Sequence, residues 1–125
     1  MVQNVNTRQT NVIMGDKERT LYGPGFILDS LCGLSFRISS KSFYQVNVEQ
    51  TEALYTRAVE MARLTGTETV MDAYCGTGTI GLVAARGVLG GPGAARVIGV
   101  EERPDAVADA RNNARHNGIA AAEFV

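Results

Sequence analysis

Tryptophan is absent from this chain of 125 residues, histidine occurs once, and cysteine occurs twice, at Cys32 and Cys75. With no CxxC pair and no metal-ligand spacing, a zinc ribbon or a dithiol redox motif is excluded, and both cysteines read as reduced thiols of a cytosolic protein. No apolar run approaches the roughly 18 residues of a membrane helix. The opening Met1-Val2-Gln3-Asn4 offers neither a basic n-region nor an apolar h-region, so no secretory signal is expected. An excess of either charge is also missing: 12 basic against 13 acidic side chains leave a net charge of -1. A compact nucleic-acid module usually carries a large positive excess, so charge alone does not mark one here. Disorder is excluded too, because apolar residues make up 45% and charged residues only 20%.

What the chain has is glycine, 14 residues of it, and two successive hydrophobic periods. Residues 1–47 carry a net charge of +2 and read as strands: Thr10–Met14, Thr20–Tyr22 and, after a Gly23-Pro24-Gly25 turn, Phe26–Leu28. Leu34 to Ser39 alternates strictly, so Leu34, Phe36 and Ile38 share one buried face. About five short strands without a helix cannot close a core, and this region is expected to pack on chain outside these residues. From Asn47 the period becomes helical. Asn47 caps a helix, with Gln50 completing a capping box. Leu54, Ala58, Met61 and Ala62 fall on one face, and Gly66 is the expected stop. A buried strand is expected at Glu68–Asp72. A glycine turn, a short helix over Ile80–Arg86 and a loose glycine loop at Gly87–Gly93 follow. Arg96–Val100 is a second strand, Pro104 opens a helix lined by Val107, Ala110 and Ala114, and a third strand starts at Ala122. Helix, strand, helix, strand, helix, strand predicts a doubly wound parallel α/β sheet of which only the first three strands are present. The chain is therefore expected to be a fragment.

The strongest local signal runs from Asp72 to Gly81, Asp-Ala-Tyr-Cys-Gly-Thr-Gly-Thr-Ile-Gly, after a strand and opening a helix. Glycines allow close backbone approach to a ligand, and the helix start supplies free N–H groups. Glu101 stands twenty residues after Gly81, at the end of the next strand, where a carboxylate can accept both hydroxyls of a ribose. Together these are a nucleoside-cofactor site. Gly76-x-Gly78-x-x-Gly81 also matches the dinucleotide fingerprint, which keeps a nicotinamide or flavin dinucleotide open as an alternative. Asp72 beside the turn would repel a pyrophosphate and suits a cofactor with a cationic end, such as S-adenosylmethionine.

These residues carry a resemblance. Asp72 to Leu82 is similar to the first motif of the RNA (uracil-5)-methyltransferases, and Ser42-Phe43-Tyr44-Gln45-Val46-Asn47 resembles their Ser-Phe-Phe-Gln-Val-Asn segment. Gly99-Val100-Glu101 with Ala110-x-x-Asn113-Ala114-x-x-Asn117-Gly118 resembles their second block. Val2–Asn6 and Thr10–Gly15 resemble the middle domain of the 23S ribosomal RNA branch, particularly its Gram-positive members. The resemblance implies the first half of a Rossmann-like class I methyltransferase sheet at 43–125, preceded by the β-rich end of a central domain at 1–42. It implies S-adenosyl-L-methionine as cofactor, RNA as partner, no membrane, no metal in this segment and a cytoplasmic enzyme. Gln45, Tyr74, Thr79 and Glu101 fall where the family contacts the methyl donor. Gly76 and Gly78 form the turn, and Asp72 stands on the cofactor side. Thr79 departs from the Asn of some members but keeps a hydroxyl.

In that family a thiolate adds to C6 of uracil so that C5 becomes nucleophilic, and a base later removes the C5 proton. Both groups lie in motifs beyond Val125, so no catalytic residue is expected here and the chain alone is expected to be inactive. Cys75 reads as a buried filler, and His116 as a solvated charge at a helix end. Arg8, Arg19, Arg37 and Lys41 read either as contacts to RNA phosphates or as a scattered solvated face. Two other functions stay open: a nicotinamide-dinucleotide oxidoreductase domain, and a non-catalytic nucleotide- or RNA-binding remnant.

Overall fold

The computed structural model describes residues 1–125. Strands β1 (Val2–Val5) and β2 (Lys17–Thr20) form one antiparallel pair, and β3 (Phe26–Leu31) and β4 (Leu34–Ser39) form a second. Helix α1 (Val48–Ala62) then leads into β5 (Thr69–Ala73), α2 (Thr79–Arg86), β6 (Arg96–Val100), α3 (Pro104–His116) and β7 (Ala122–Phe124). The last three strands make a parallel sheet in the order β5-β6-β7, as the strand–helix alternation demands. No helix is long and apolar enough to cross a membrane.

The first segment departs from expectation in two places. Thr10–Met14 is not a strand. Two asparagine side chains take over what a ladder would do. Asn4 donates to the Gly15 carbonyl at 2.9 Å and accepts the Gly15 N–H at 2.7 Å, and Asn6 donates to the Val12 and Ile13 carbonyls. The strand expected at Thr20–Tyr22 lies earlier, over Lys17–Thr20.

The β3–β4 pair behaves as its alternation predicts. Leu34, Phe36 and Ile38 are buried. The two-residue turn Cys32-Gly33 has positive φ at both positions, 49° and 74°, which matches the twist of the flanking strands. This hairpin does not wait for chain outside these residues. Leu31, Leu34, Phe36 and Ile38 share one core with Tyr55, Val59, Leu82, Val107, Ala110 and Phe124 from the later helices and strand.

Polar docking adds to that core. Strand β4 lies along α3, whose Asn113 and Asn117 each bind one backbone residue of the strand. Asn117 accepts from the Ser35 N–H at 2.9 Å and donates to the Ser35 carbonyl at 2.8 Å. Asn113 accepts from the Arg37 N–H at 2.8 Å. Asp109, one turn earlier and buried, accepts from the Ser39 and Ser42 hydroxyls at 2.8 and 2.7 Å.

Asn47 caps α1, its side chain accepting the Gln50 N–H at 3.1 Å. The inner face is not the expected one. Thr51, Tyr55 and Val59 are buried, whereas Leu54 and Met61 are 63% and 69% exposed. Both stripes have a helical spacing, and the one carrying Tyr55 faces α2. The helix ends at Ala62, with Arg63 in the left-handed region, four positions before Gly66. Strand β5 is half exposed rather than buried, since α2 and α3 lie on one face of the sheet and Met71 points to the other. The glycine loop after α2 is folded tightly, with the Ala94 N–H donating back to the Ala84 carbonyl at 2.9 Å.

Between α1 and β5, the Glu68 carboxylate closes a small loop. It accepts from the Thr65 hydroxyl at 2.6 Å and from the N–H groups of Thr65, Gly66 and Thr67. The Thr65 hydroxyl first, then the Thr65 N–H and, more weakly, that of Thr67, bring Glu68 down to about 2 from 4.5. Folding thus depresses the pKa, so this contribution to stability is present above pH 4.5 and is lost as pH falls toward 2. An NMR titration of the Glu68 carboxyl carbon is expected to show a midpoint near 2. A midpoint at the ordinary 4.5 would mean that the loop is not closed by this carboxylate.

Candidate functional site

The site is assembled where β5 and β6 end. Strand β5 delivers Asp72 and then Tyr74, a non-glycine residue with φ 61° whose side chain is 91% exposed. That conformation costs about 1–2 kcal/mol for an L-residue. Tyr74 therefore combines backbone strain with an exposed ring at the carboxyl end of a parallel sheet, the end at which open α/β sheets bind ligands. Cys75 follows, its N–H donating to the Val100 carbonyl at 3.0 Å and so extending the β5–β6 pairing by one bond. Its thiol is buried, and burial first, then the nearby Asp72 and Glu101 carboxylates, push it up to about 11. At neutral pH it is a protonated filler.

The glycines divide into two kinds. Beside Gly76 (φ 55°) nothing lies where a side chain would project, so this residue opens outward. Gly78 (φ 80°) is the N-cap of α2, and a Cβ there would meet the Phe124 ring at 2.8 Å. At Gly81 a Cβ would meet the Asp72 carboxylate, also at 2.8 Å. Packing therefore excludes a side chain at Gly78 and Gly81, whereas the space beside Gly76 is open.

Two carboxylates frame the turn. Glu101, just after β6, accepts the Gly76 N–H at 3.0 Å with one oxygen and the Arg103 N–H at 3.0 Å with the other. The Arg103 N–H is the main reason its pKa lies below the usual carboxylate value, so Glu101 is charged at neutral pH. Each oxygen keeps a lone pair for a further donor. Asp72 accepts the Gly81 N–H at 3.0 Å. Gly78 has no side chain to cap α2, and Asp72 does this from the preceding strand. Burial raises the Asp72 pKa, and the Gly81 N–H opposes the rise.

Of the residues singled out from the sequence, the structure joins Gly76 to Glu101, Asp72 to Gly81, and Thr79 to the buried Tyr55, whose hydroxyl lies 2.9 Å from Thr79 Oγ1. Gln45 is exposed between β4 and α1, and its side chain makes no hydrogen bond within the chain.

Residues 64–125 match a family described as a methyltransferase domain. The chain is 52% identical over 124 residues to an uncharacterized RNA methyltransferase of Halalkalibacterium halodurans, covering 99% of this chain and 26% of that protein. It is 50% identical over 123 residues to a counterpart in Staphylococcus aureus, with coverage of 98% and 26%. Nearly the whole chain is thus similar to RNA methyltransferases, and its second half matches a methyltransferase domain. It spans about a quarter of the length of the curated relatives it matches. Among solved structures it superposes with a TM-score of 0.75 and 30% identity on the Pyrococcus abyssi tRNA (uracil-54, C5)-methyltransferase in complex with S-adenosyl-L-homocysteine, covering 98% of this chain and 28% of that one. An RNA methyltransferase of Salinibacter ruber, also in complex with S-adenosyl-L-homocysteine, follows at TM-score 0.51 and 35% identity over 59% of this chain and 46% of that one.

The turn rests on residues that its motifs alone do not reveal. Phe124 fills the space beside Gly78 and Gly99, and Tyr55 holds Thr79. The fully buried Asn113 donates to the Thr77 carbonyl at 3.2 Å. The asparagine spacing was visible in the sequence, but what it faces depends on how β4 docks.

Proposed function

We propose that this chain is the donor-binding portion of an enzyme that uses S-adenosyl-L-methionine to methylate C5 of uridine in RNA, with 23S ribosomal RNA as the substrate. Residues 43–125 would begin its Rossmann-like domain and 1–42 would end a β-rich central domain. The observation that carries this reading is the placement of the two carboxylates. Asp72 already takes the Gly81 N–H at the start of α2, where a dinucleotide would put its pyrophosphate, and its carboxylate would repel that anion. Glu101 stands at the mouth with both oxygens able to take a ribose hydroxyl, beside the open side of Gly76. Bound there, S-adenosylmethionine would supply a methyl group on a cationic sulfonium. Glu101 would orient the ribose, and Tyr74 and Gln45, both exposed and without intramolecular side-chain bonds, are free to reach the rest of the donor. We place the nucleophilic thiol and the general base outside residues 1–125, since the buried Cys75 stays protonated. The substrate named for the P. abyssi relative, a tRNA uracil, supports the base and the atom attacked. The choice of 23S RNA rests on the resemblance of residues 1–15, and a cytoplasmic location goes with such a substrate.

Calorimetric titration of the full-length protein with S-adenosylhomocysteine and with NAD tests the donor. Binding of the first and not the second is expected, and the reverse would favour the oxidoreductase reading. Labelled donor offered with unmodified 23S RNA and with tRNA then tests the substrate. Label is expected at uracil C5 of the ribosomal RNA, and label confined to tRNA would overturn that choice.

A further inference from the structure

Asn113 is fully buried and uses its carboxamide in two directions. Toward β4 it accepts the Arg37 N–H at 2.8 Å and lies 3.4 Å from the Arg37 carbonyl. Toward the glycine turn its Nδ2 donates to the Thr77 carbonyl at 3.2 Å. Asn117, one turn further along α3, grips Ser35 but does not touch the turn. The geometry allows this because four residues of helix rise about 6 Å, close to the roughly 6.6 Å between alternate residues of a strand. Side chains of α3 can therefore follow the edge of β4 as another strand would.

Thr77 lies between Gly76 and Gly78, both at positive φ. The Thr77–Gly78 peptide has a glycine on its far side, and the missing Cβ there lowers the steric cost of rotating it. The Gly76 side of the turn is held by Glu101, and the Gly78 N–H donates to the Cys75 carbonyl at 2.9 Å. The Thr77–Gly78 peptide is held from its carbonyl end by Asn113. We infer that Asn113 is a positioning residue of the donor site, locking the Thr77–Gly78 peptide of the glycine turn and tying its orientation to the docked β4 strand. This rests on the reading of the turn as the donor site. It adds a link from the β-hairpin to that site, so that displacing β4 loosens the turn.

The test compares Asn113→Asp with Asn117→Ala in the full-length protein. Asn113→Asp keeps the acceptor for the Arg37 N–H and removes the donor to Thr77. Asn117→Ala removes only the clasp on Ser35, and β4 stays docked through Arg37 on Asn113 and Ser39 on Asp109. Hydrogen exchange at the Gly76 and Gly78 amides reads the turn without any ligand, and calorimetry with S-adenosylhomocysteine reads the site. Asn113→Asp is expected to speed exchange at Gly78 at least about tenfold and to weaken S-adenosylhomocysteine at least about fivefold, or about 1 kcal/mol. Asn117→Ala is expected to lower the melting temperature while leaving both readouts within about twofold of the parent. Should Asn113→Asp not fold, Asn113→Ser takes its place. Equal effects from the two positions, or unchanged exchange at Gly78 in the Asn113 variants, would overturn the inference. Failure of the parent protein to bind S-adenosylhomocysteine would instead bring down the donor reading, while exchange at Gly78 still decides the role of Asn113 in the turn.

Discussion

Phe124→Ala is expected to lower the stability of the full-length protein by about 3–5 kcal/mol, the range for emptying a buried aromatic site. Phe124 is 2% exposed, and its ring fills space left by glycines on two different elements. A Cβ at Gly99 would meet that ring at 2.3 Å, and one at Gly78 at 2.8 Å. Such a gap is bounded by backbone on two sides, and backbone in a strand and at a helix cap cannot collapse inward as a side chain would. Neither glycine has a side chain that could swing into the hole. A domain is stable by only about 5–15 kcal/mol, so this one substitution removes a large part of the margin. Urea unfolding followed by circular dichroism checks it through the midpoint at unchanged slope. A loss below about 1 kcal/mol would mean that the turn and the sheet close over the space.

Glu101→Gln is expected to weaken S-adenosylhomocysteine binding at least about tenfold, or 1.4 kcal/mol. The glutamine has the same shape but one acceptor oxygen in place of two. It can keep the bond from the Gly76 N–H or the one from the Arg103 N–H, while its own N–H₂ opposes the other. The negative charge that strengthens hydrogen bonds to ribose hydroxyls is lost as well. Because folding depresses the Glu101 pKa, its charge contributes fully above 4.5 and is lost as pH falls through the lower folded value. Donor affinity of the parent is thus expected to be flat across neutral pH. Calorimetry at two pH values on parent and variant reads both effects. A variant with unchanged affinity would remove Glu101 from the site.

Strand–helix alternation and the capping of α1 by Asn47 were legible because they are local. Each depends on residues within a few positions of one another. That Glu101 and the glycine turn share one end of the sheet was legible for a related reason, since a parallel crossover fixes where the next strand must end, whereas the bond from the Gly76 N–H to Glu101 was not. What escaped was set by contacts distant in sequence. Helix α1 carries two apolar stripes, and only the partner across α2 selects the one with Tyr55. The Thr10–Met14 run has strand composition, yet the Asn6 and Asn4 side chains, not a partner strand, bind the backbone of Val12, Ile13 and the following Gly15. Asp72 shows the same limit. The sequence put it beside the turn, but only the fold reveals that it caps a helix whose own N-cap is glycine.

Asn117 precedes Gly118, and an asparagine followed by glycine is the arrangement most open to deamidation, in which the next backbone nitrogen attacks the side-chain carboxamide. In the folded chain that nitrogen is engaged, the Gly118 N–H donating to the Arg115 carbonyl at 3.1 Å. The carboxamide is held as well, its Nδ2 donating to the Ser35 and Asn113 carbonyls at 2.8 Å each. Folding therefore shields the protein from its own chemical ageing at this position, and each excursion to the unfolded chain exposes it. Once the amide has become a carboxylate, two carbonyl oxygens face a negative oxygen where a donor used to be, and the strand cannot dock as before. The clasp between α3 and β4 is thus a ratchet: a molecule aged here returns to a weaker fold, and the weaker fold opens more often.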